Sequence, residues 1–169
     1  GTINVVAHTE SNLGSAAHAE SAIGIATGNG ADIINNYGSI SATTSSGTLA
    51  GIGVAINSGG GNDQVRLANG SSVVGSIELG AGDDQLIICG TPPAKSAWHG
   101  GAGRDSLVLE GSGSCTLDQT GLLFTSFENM VKCGAGTFSL GSGLTDLDSC
   151  EVTCGVLEVH GDFNLGGGK

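Results

Sequence analysis

Proline, aromatic side chains and positive charge are all scarce in this chain. There are 2 Pro, 1 Trp, 1 Tyr and 4 Phe in 169 residues, and 5 Lys plus Arg stand against 16 Asp plus Glu. The resulting net charge of -11, with no cluster of basic residues, argues against nucleic acid and anionic membrane surfaces as partners. It suits solubility, and it is compatible with salty or calcium-containing surroundings. No run approaches the roughly 18 apolar residues of a membrane span, so no membrane insertion of this segment is expected. Good helix formers are thin and long amphipathic stripes are missing, which leaves little room for a helical domain. The sequence opens at Gly1 with neither an initiator Met nor a signal peptide, which leads us to expect a processed product or an excised piece.

What the chain has instead is glycine, 32 residues of it, in a recurring arrangement. The motif Gly-x-Gly-x-Asp followed by alternating apolar residues occurs at Gly28-Asn-Gly30-Ala-Asp32, Gly59-Gly-Gly61-Asn-Asp63, Gly80-Ala-Gly82-Asp-Asp84 and Gly101-Ala-Gly103-Arg-Asp105. A fifth copy, Gly134-Ala-Gly136-Thr-Phe138, keeps the glycines and loses the aspartate. Start-to-start steps are 31, 21, 21 and 33 residues. A unit of about 21 residues with insertions is the mark of a stacked solenoid. The local physics agrees. Glycine permits positive φ at a corner, Asp or Asn bonds its own backbone there, and apolar alternation then starts a strand with one face inward. In Asp84-Gln-Leu-Ile-Ile88 and Asp105-Ser-Leu-Val-Leu109, Gln85 and Ser106 are expected to look outward.

The expected organisation is one domain over residues 1–169 with three textures. Residues 1–58 have longer coils, in which Ser21-Ala-Ile-Gly-Ile25 and Ala50-Gly-Ile-Gly-Val-Ala-Ile56 read as the same strand one coil apart. Residues 59–111 carry the regular 21-residue coils. In residues 112–169 the corners lose their aspartates. Thr91-Pro-Pro-Ala-Lys-Ser-Ala-Trp98 reads as a loop bearing the only Trp, since two prolines do not fit inside a ladder.

Five cysteines, Cys89, Cys115, Cys133, Cys150 and Cys154, are spaced by 26, 18, 17 and 4 residues, mostly near one coil. Residues stacked on adjacent coils lie about 4.8 Å apart, within the Cα separation a disulfide accepts. Two bridges plus an odd thiol is one reading. Small buried hydrophobes in a core stack is the other. No Cys-x-x-Cys pair suggests zinc or haem. Catalytic signatures are thin as well: neither Gly-x-Ser-x-Gly nor His-Glu-x-x-His occurs, and no enzyme activity is expected. Trp98-His99 near Asp105 is the one cluster with a catalytic flavour, while His8, His18 and His160 have no partner motif nearby.

Two family resemblances follow from particular residues. The run Phe127-Glu-Asn-Met-Val-Lys132-Cys-Gly134-Ala-Gly136-Thr-Phe138-Ser-Leu140, then Val152-Thr-Cys-Gly155-Val-Leu157-Glu-Val159-His-Gly161, resembles the distal passenger region of bacterial autotransporters, with Met130 for Leu and Phe138 for Trp. Ala22-Ile-Gly-Ile25 and Ile34-Asn-Asn-Tyr-Gly38-Ser-Ile40 look like earlier rungs of the same family. That resemblance implies a right-handed parallel β-helix displayed on, or released from, a cell surface. The Gly-x-Gly-x-Asp corners are similar to the repeats of haemolysin-type calcium-binding proteins, which implies calcium at Asp63, Asp84 and Asp105 in register, with Asn62 and Asp83 beside them. Three stacked carboxylates repel unless neutralised, by calcium, by Arg104 in part, or by the corner's own hydrogen bonds. The family's calcium repeat recurs every nine residues, whereas here it recurs once per coil.

The expected fold is therefore all-β, a right-handed parallel β-helix of about eight coils, a rod of roughly 40 Å. The expected work is extracellular and structural, with subunits joining head to tail into a filament through open strand edges at both ends. An adhesin or toxin passenger binding host glycan or protein through its loops is the alternative. A polysaccharide-degrading β-helix enzyme stands third.

Overall fold

The computed structural model describes residues 5–11, 22–46, 49–90, 97–117, 123–140, 147–160 and 165, and among them every regular element is a strand. In chain order these are β1 (Val5–Ser11), β2 (Ile23–Ala26), β3 (Ile33–Asn36), β4 (Ser39–Ser46), β5 (Leu49–Ile52), β6 (Val54–Asn57), β7 (Gln64–Leu67), β8 (Ser72–Val74) and β9 (Ser76–Ala81). There follow β10 (Gln85–Cys89), β11 (Ala97–Ala102), β12 (Ser106–Glu110), β13 (Cys115–Leu117), β14 (Leu123–Thr125), β15 (Asn129–Lys132), β16 (Thr137–Leu140), β17 (Ser149–Val152) and β18 (Val156–Val159).

Parallel pairing between strands about one coil apart builds a β-solenoid. One face stacks six rungs, β3, β7, β10, β12, β15 and β17; a second stacks five, β2, β6, β9, β11 and β14; a third stacks β13, β16 and β18. The register is direct, with Gln64 beside Gln85 and Gln85 beside Ser106, so the 21-residue interval is one turn. The six rungs among the described residues are fewer than the eight coils expected, and the early coils are longer than 21 residues. Asp32 and Asp63 are 31 residues apart, and in that interval β4, paired parallel with β1 along residues 40–46, carries on beyond β8 into an antiparallel pairing with β5, Thr43 opposite Ile52. The stretch expected as one strand over residues 50–56 accordingly divides at Gly53: β5 runs antiparallel before it and β6 joins the parallel stack after it. The expected match across the long coil is present, with Ile23 beside Val54 and Ile25 beside Ile56.

Period-2 alternation sets the interior. The columns Val65, Leu86, Leu107, Met130 and Leu67, Ile88, Leu109 face Ile56, Ile77, Trp98 and Phe124 from the second face, all buried. Each such side chain taken from water contributes roughly 1.5–3 kcal/mol before the entropy of ordering is set against it. Outside, Gln64 Nε2 donates to Gln85 Oε1 at 2.8 Å, an amide ladder where outward residues were expected. Trp98 departs from expectation. Residues 91–96 lie outside the described residues, and Trp98 stands on β11 fully buried, edge-on to Phe124 with ring centroids 5.5 Å apart. Alternation along β11 decides this, since Trp98 shares its inner column with Ile77 and Phe124.

Glycines form two columns at two different corners. In the first, a Cβ on Gly59, Gly80 or Gly101 would collide with the carbonyl oxygen of Gly28, Gly59 or Gly80 respectively, one coil earlier, and all three have φ between 95° and 117°. In the second, Gly134 packs on Gly111 and Gly155 on Gly134. The fifth motif copy therefore does not continue the first four. It belongs to the second column, where Thr137–Leu140 pairs with β13 and β18, and Phe138 points into the core instead of an aspartate.

Candidate functional site

The first corner carries a column of acids. Register places Asp32, Asp63, Asp84, Asp105, Glu128 and Asp148 at the same position of successive rungs, immediately before β3, β7, β10, β12, β15 and β17. The side chains of Asp63, Asp84, Asp105 and Glu128 tie their coils to the coil before. Asp32 N–H donates to Asp63 Oδ1 at 2.8 Å, Asp63 N–H to Asp84 Oδ1 at 2.7 Å, Asp84 N–H to Asp105 Oδ1 at 2.9 Å and Asp105 N–H to Glu128 Oε2 at 2.7 Å. A second ladder runs the opposite way one residue outward, Asp83 N–H to Asn62 Oδ1 at 3.0 Å and Arg104 N–H to Asp83 Oδ1 at 2.9 Å. The tight glycine corner leaves these N–H groups without a strand partner, and the side chains supply one.

Only one oxygen of each inner aspartate is used. Asp63, Asp84 and Asp105 are buried, and their Oδ2 atoms have no hydrogen-bond partner. Burial raises the Asp84 pKa, as does charge from Asp63 and Asp83, against the lowering effect of the Asp63 N–H bond. Asp105 is pushed up to about 6, by burial first and then by Asp84, Glu128 and Asp83, with the Asp84 N–H bond opposing. Arg104 does not neutralise the column. Its guanidinium is exposed and donates to Asn129 Oδ1 at 3.3 Å. Among the described residues no three His, Cys, Asp or Glu side chains converge as a metal-holding group, because the aspartates are spread one per coil and each binds backbone.

The sequence reading picked out Asp63, Asp84 and Asp105 and missed Glu128 and Asp148, which continue the column without glycines. Spacing held the signal: Glu128 lies 23 residues after Asp105, close to one coil. It also missed Lys132. This lysine is fully buried, with Nζ donating to the carbonyls of Cys133 at 3.2 Å, Gly134 at 2.7 Å and Cys154 at 3.2 Å, and 5.3 Å from the Phe138 ring centroid. A buried ammonium needs such a cage.

The cysteines do not form a single ladder. Cys89, Cys133, Cys150 and Cys154 are free thiols, and the side chain of Cys115 lies outside the described residues. Intervals of 26, 18 and 17 residues miss the local coil lengths, so Cys89 stacks on Glu110, Cys115 on Phe138 and Cys150 on Met130. Burial raises the thiol pKa of Cys89, Cys133 and Cys150. Cys89 Sγ donates to Glu110 Oε2 at 3.5 Å, which Arg66 pairs at 2.7 Å across two rungs. A cavity of about 300 Å³ beside Cys89, Asn69, Ser112 and Ser114 has no carboxylate or imidazole in its lining and so offers no acid–base pair.

His99 does not act with Asp105. It sits on the outer face of β11, its Nδ1 bonded to Thr125 Oγ1 and its Nε2 3.9 Å from Glu78 Oε1. His160 Nε2 lies 3.7 Å from Glu158 on an exposed surface, and the side chains of His8 and His18 fall outside the described residues.

The two ends of the stack form the remaining unusual surface. Among the described residues the column Leu109, Lys132 is buried but ends at Val152, 47% exposed, and Leu140 is buried while its neighbour Val159 is 38% exposed; Leu165 bridges Leu147 beyond them. At the opposite end Ile33 on β3 is 70% exposed and Ile23 on β2 is 44% exposed. Among the described residues no helix is long and apolar enough to cross a membrane. No family model, curated protein or solved structure matches this chain.

Proposed function

We propose that the chain is an extracellular structural β-solenoid whose copies join end to end into a fibre. The observation that carries this reading is the inward-facing column that runs out to exposed valines, Val152 and Val159, on the last strands of two sheets. An apolar interior cut open at a rung is what a further rung would cover; at the other end β3 and β2 are the first rungs of their sheets, and exposed Ile33 and Ile23 stand there in the outer columns of Gln64 and Val54 and give that end an apolar rim. The two ends differ, so the contact is heterologous and a chain of copies does not close on itself. Outward faces built of hydrogen-bonded Gln, Asn and Ser suit a solvated shaft. The resemblance of residues 127–161 to distal passenger regions supports an exported location and a surface-displayed or released product.

The test is a double variant, Val152→Lys with Val159→Lys. Two buried ammonium groups at a joint would oppose docking, while both sites are open in the single chain. Electron micrographs of the parent chain should show filaments one solenoid wide, and the variant should remain as single particles with an unchanged circular dichroism spectrum. Filaments of equal length from both proteins would show that the valine end takes no part.

A further inference from the structure

Of the five cysteines, two lie diagonally across one corner of neighbouring rungs, one residue out of register. Lys132 pairs with Val152, so Thr153 stacks on Cys133 and Cys154 follows one residue later, at the corner where Gly155 packs between the carbonyls of Gly134 and Gly136. Lys132 Nζ ties them together independently, holding the Cys133 and Cys154 carbonyl oxygens at 3.2 Å each. Neither thiol is buried, Cys133 being half-buried and Cys154 exposed. The charge of Cys154 contributes to raising the Cys133 thiol, behind burial and Glu110, so the two side chains sense each other. No other described pair is placed this way. Cys89 is separated from Cys133 by the Glu110 rung, a gap of about 10 Å and too wide for a disulfide, and Cys150 faces inward beside Met130.

We propose that Cys133 and Cys154 are a disulfide-forming pair that staples the last coil to the one before it when a low-molecular-weight disulfide is present. Adjacent parallel strands are about 4.8 Å apart and one residue rises about 3.3 Å along the strand, so the one-residue offset sets a diagonal of about 6 Å between the two Cα atoms, inside the range of about 4.4–6.8 Å that the bond accepts. Exposed Cys154 reacts first. Its thiolate attacks one sulfur of the small disulfide, forming a mixed disulfide and releasing one small thiolate. The Cys133 thiolate then attacks Sγ of Cys154 and displaces the second small thiol. Two S–H bonds are lost, one S–S bond forms, and one molecule of the oxidant is reduced to two thiols. The bridge closes a loop that contains β16 and β17, so it restrains the coil whose open face was described above.

The experiment incubates the full chain with oxidised glutathione, blocks remaining thiols with iodoacetamide and maps peptides without reductant. The expected product is a monomer two hydrogens lighter whose linked peptide joins Cys133 to Cys154. Amide exchange at Val152 and Val159 should slow at least tenfold in that product. The protection should survive Cys89→Ser with Cys150→Ser and disappear in Cys133→Ser. Bridging through Cys89, Cys115 or Cys150, dimers joined through Cys154, or a glutathione adduct on Cys154 that never resolves would each overturn the proposal.

Discussion

Asp84 Oδ1 accepts the backbone N–H of Asp63 at 2.7 Å, from a position 21 residues later in the chain. One carboxylate thus ties one coil to the next, and Asp63 and Asp105 do the same for the coils on either side. The unused oxygen of each lies buried without a partner, and burial makes Asp84 and Asp105 favour a proton.

The first prediction concerns pH. The Asp105 pKa is raised from 3.8 to about 6 in the fold. A carboxyl raised on folding adds stability below its unfolded value, and that contribution is lost as pH rises through the folded value. Asp84 shifts in the same direction. Urea midpoints should therefore fall between pH 4 and pH 7, on the order of 2 kcal/mol in total. Asp105→Asn should flatten much of that slope. A midpoint that rises over the same interval would contradict this.

The second separates the two oxygens of Asp84. Asp84→Asn keeps an acceptor for the Asp63 N–H and removes a desolvated charge, so stability at pH 7.5 should change by less than about 1 kcal/mol. Asp84→Ala strands a buried N–H and should cost about 1–3 kcal/mol. Equal losses in both variants, read by chemical denaturation, would remove the hydrogen bond from the explanation.

The third uses glycine as an internal ruler. At Gly80 the φ of 108° and the approach of the Gly59 carbonyl both exclude a side chain, and Gly80→Ala should cost more than about 3 kcal/mol or prevent folding. Gly70 has φ 81° with open space around its Cα, so Gly70→Ala should cost about 1–2 kcal/mol. Gly28 has neither constraint, and Gly28→Ala should be nearly neutral. The melting temperature should be lowest for Gly80→Ala and highest for Gly28→Ala.

These variants probe what the sequence revealed most readily. Corner and strand were legible in Gly-x-Gly-x-Asp because φ and alternation are local properties. The column was legible only where the period held, at Asp63, Asp84 and Asp105. Glu128 was hidden because its corner has no glycine and Phe127 fills the preceding position. Trp98 looked like a loop residue because Pro92 and Pro93 lie close before it, while its burial depends on Ile77 and Phe124 from other coils. The fifth glycine copy misled for the same reason: the glycine spacing is the same at two corners, and only register tells them apart.

The fourth prediction concerns Lys132. Lys132→Met fills similar volume but leaves the carbonyls of Cys133, Gly134 and Cys154 without their shared donor. A loss of about 2–4 kcal/mol is expected, with faster amide exchange confined to the last two coils. Unchanged stability would mean that the cage is satisfied by water.

End-to-end growth is the claim most open to direct measurement. Sedimentation velocity of the purified chain over a hundredfold concentration range should show a broad series of species growing with concentration, shifting toward larger ones at pH 5, where the acidic subunits repel each other less. A single sharp monomer boundary at every concentration and at both pH values would contradict the account.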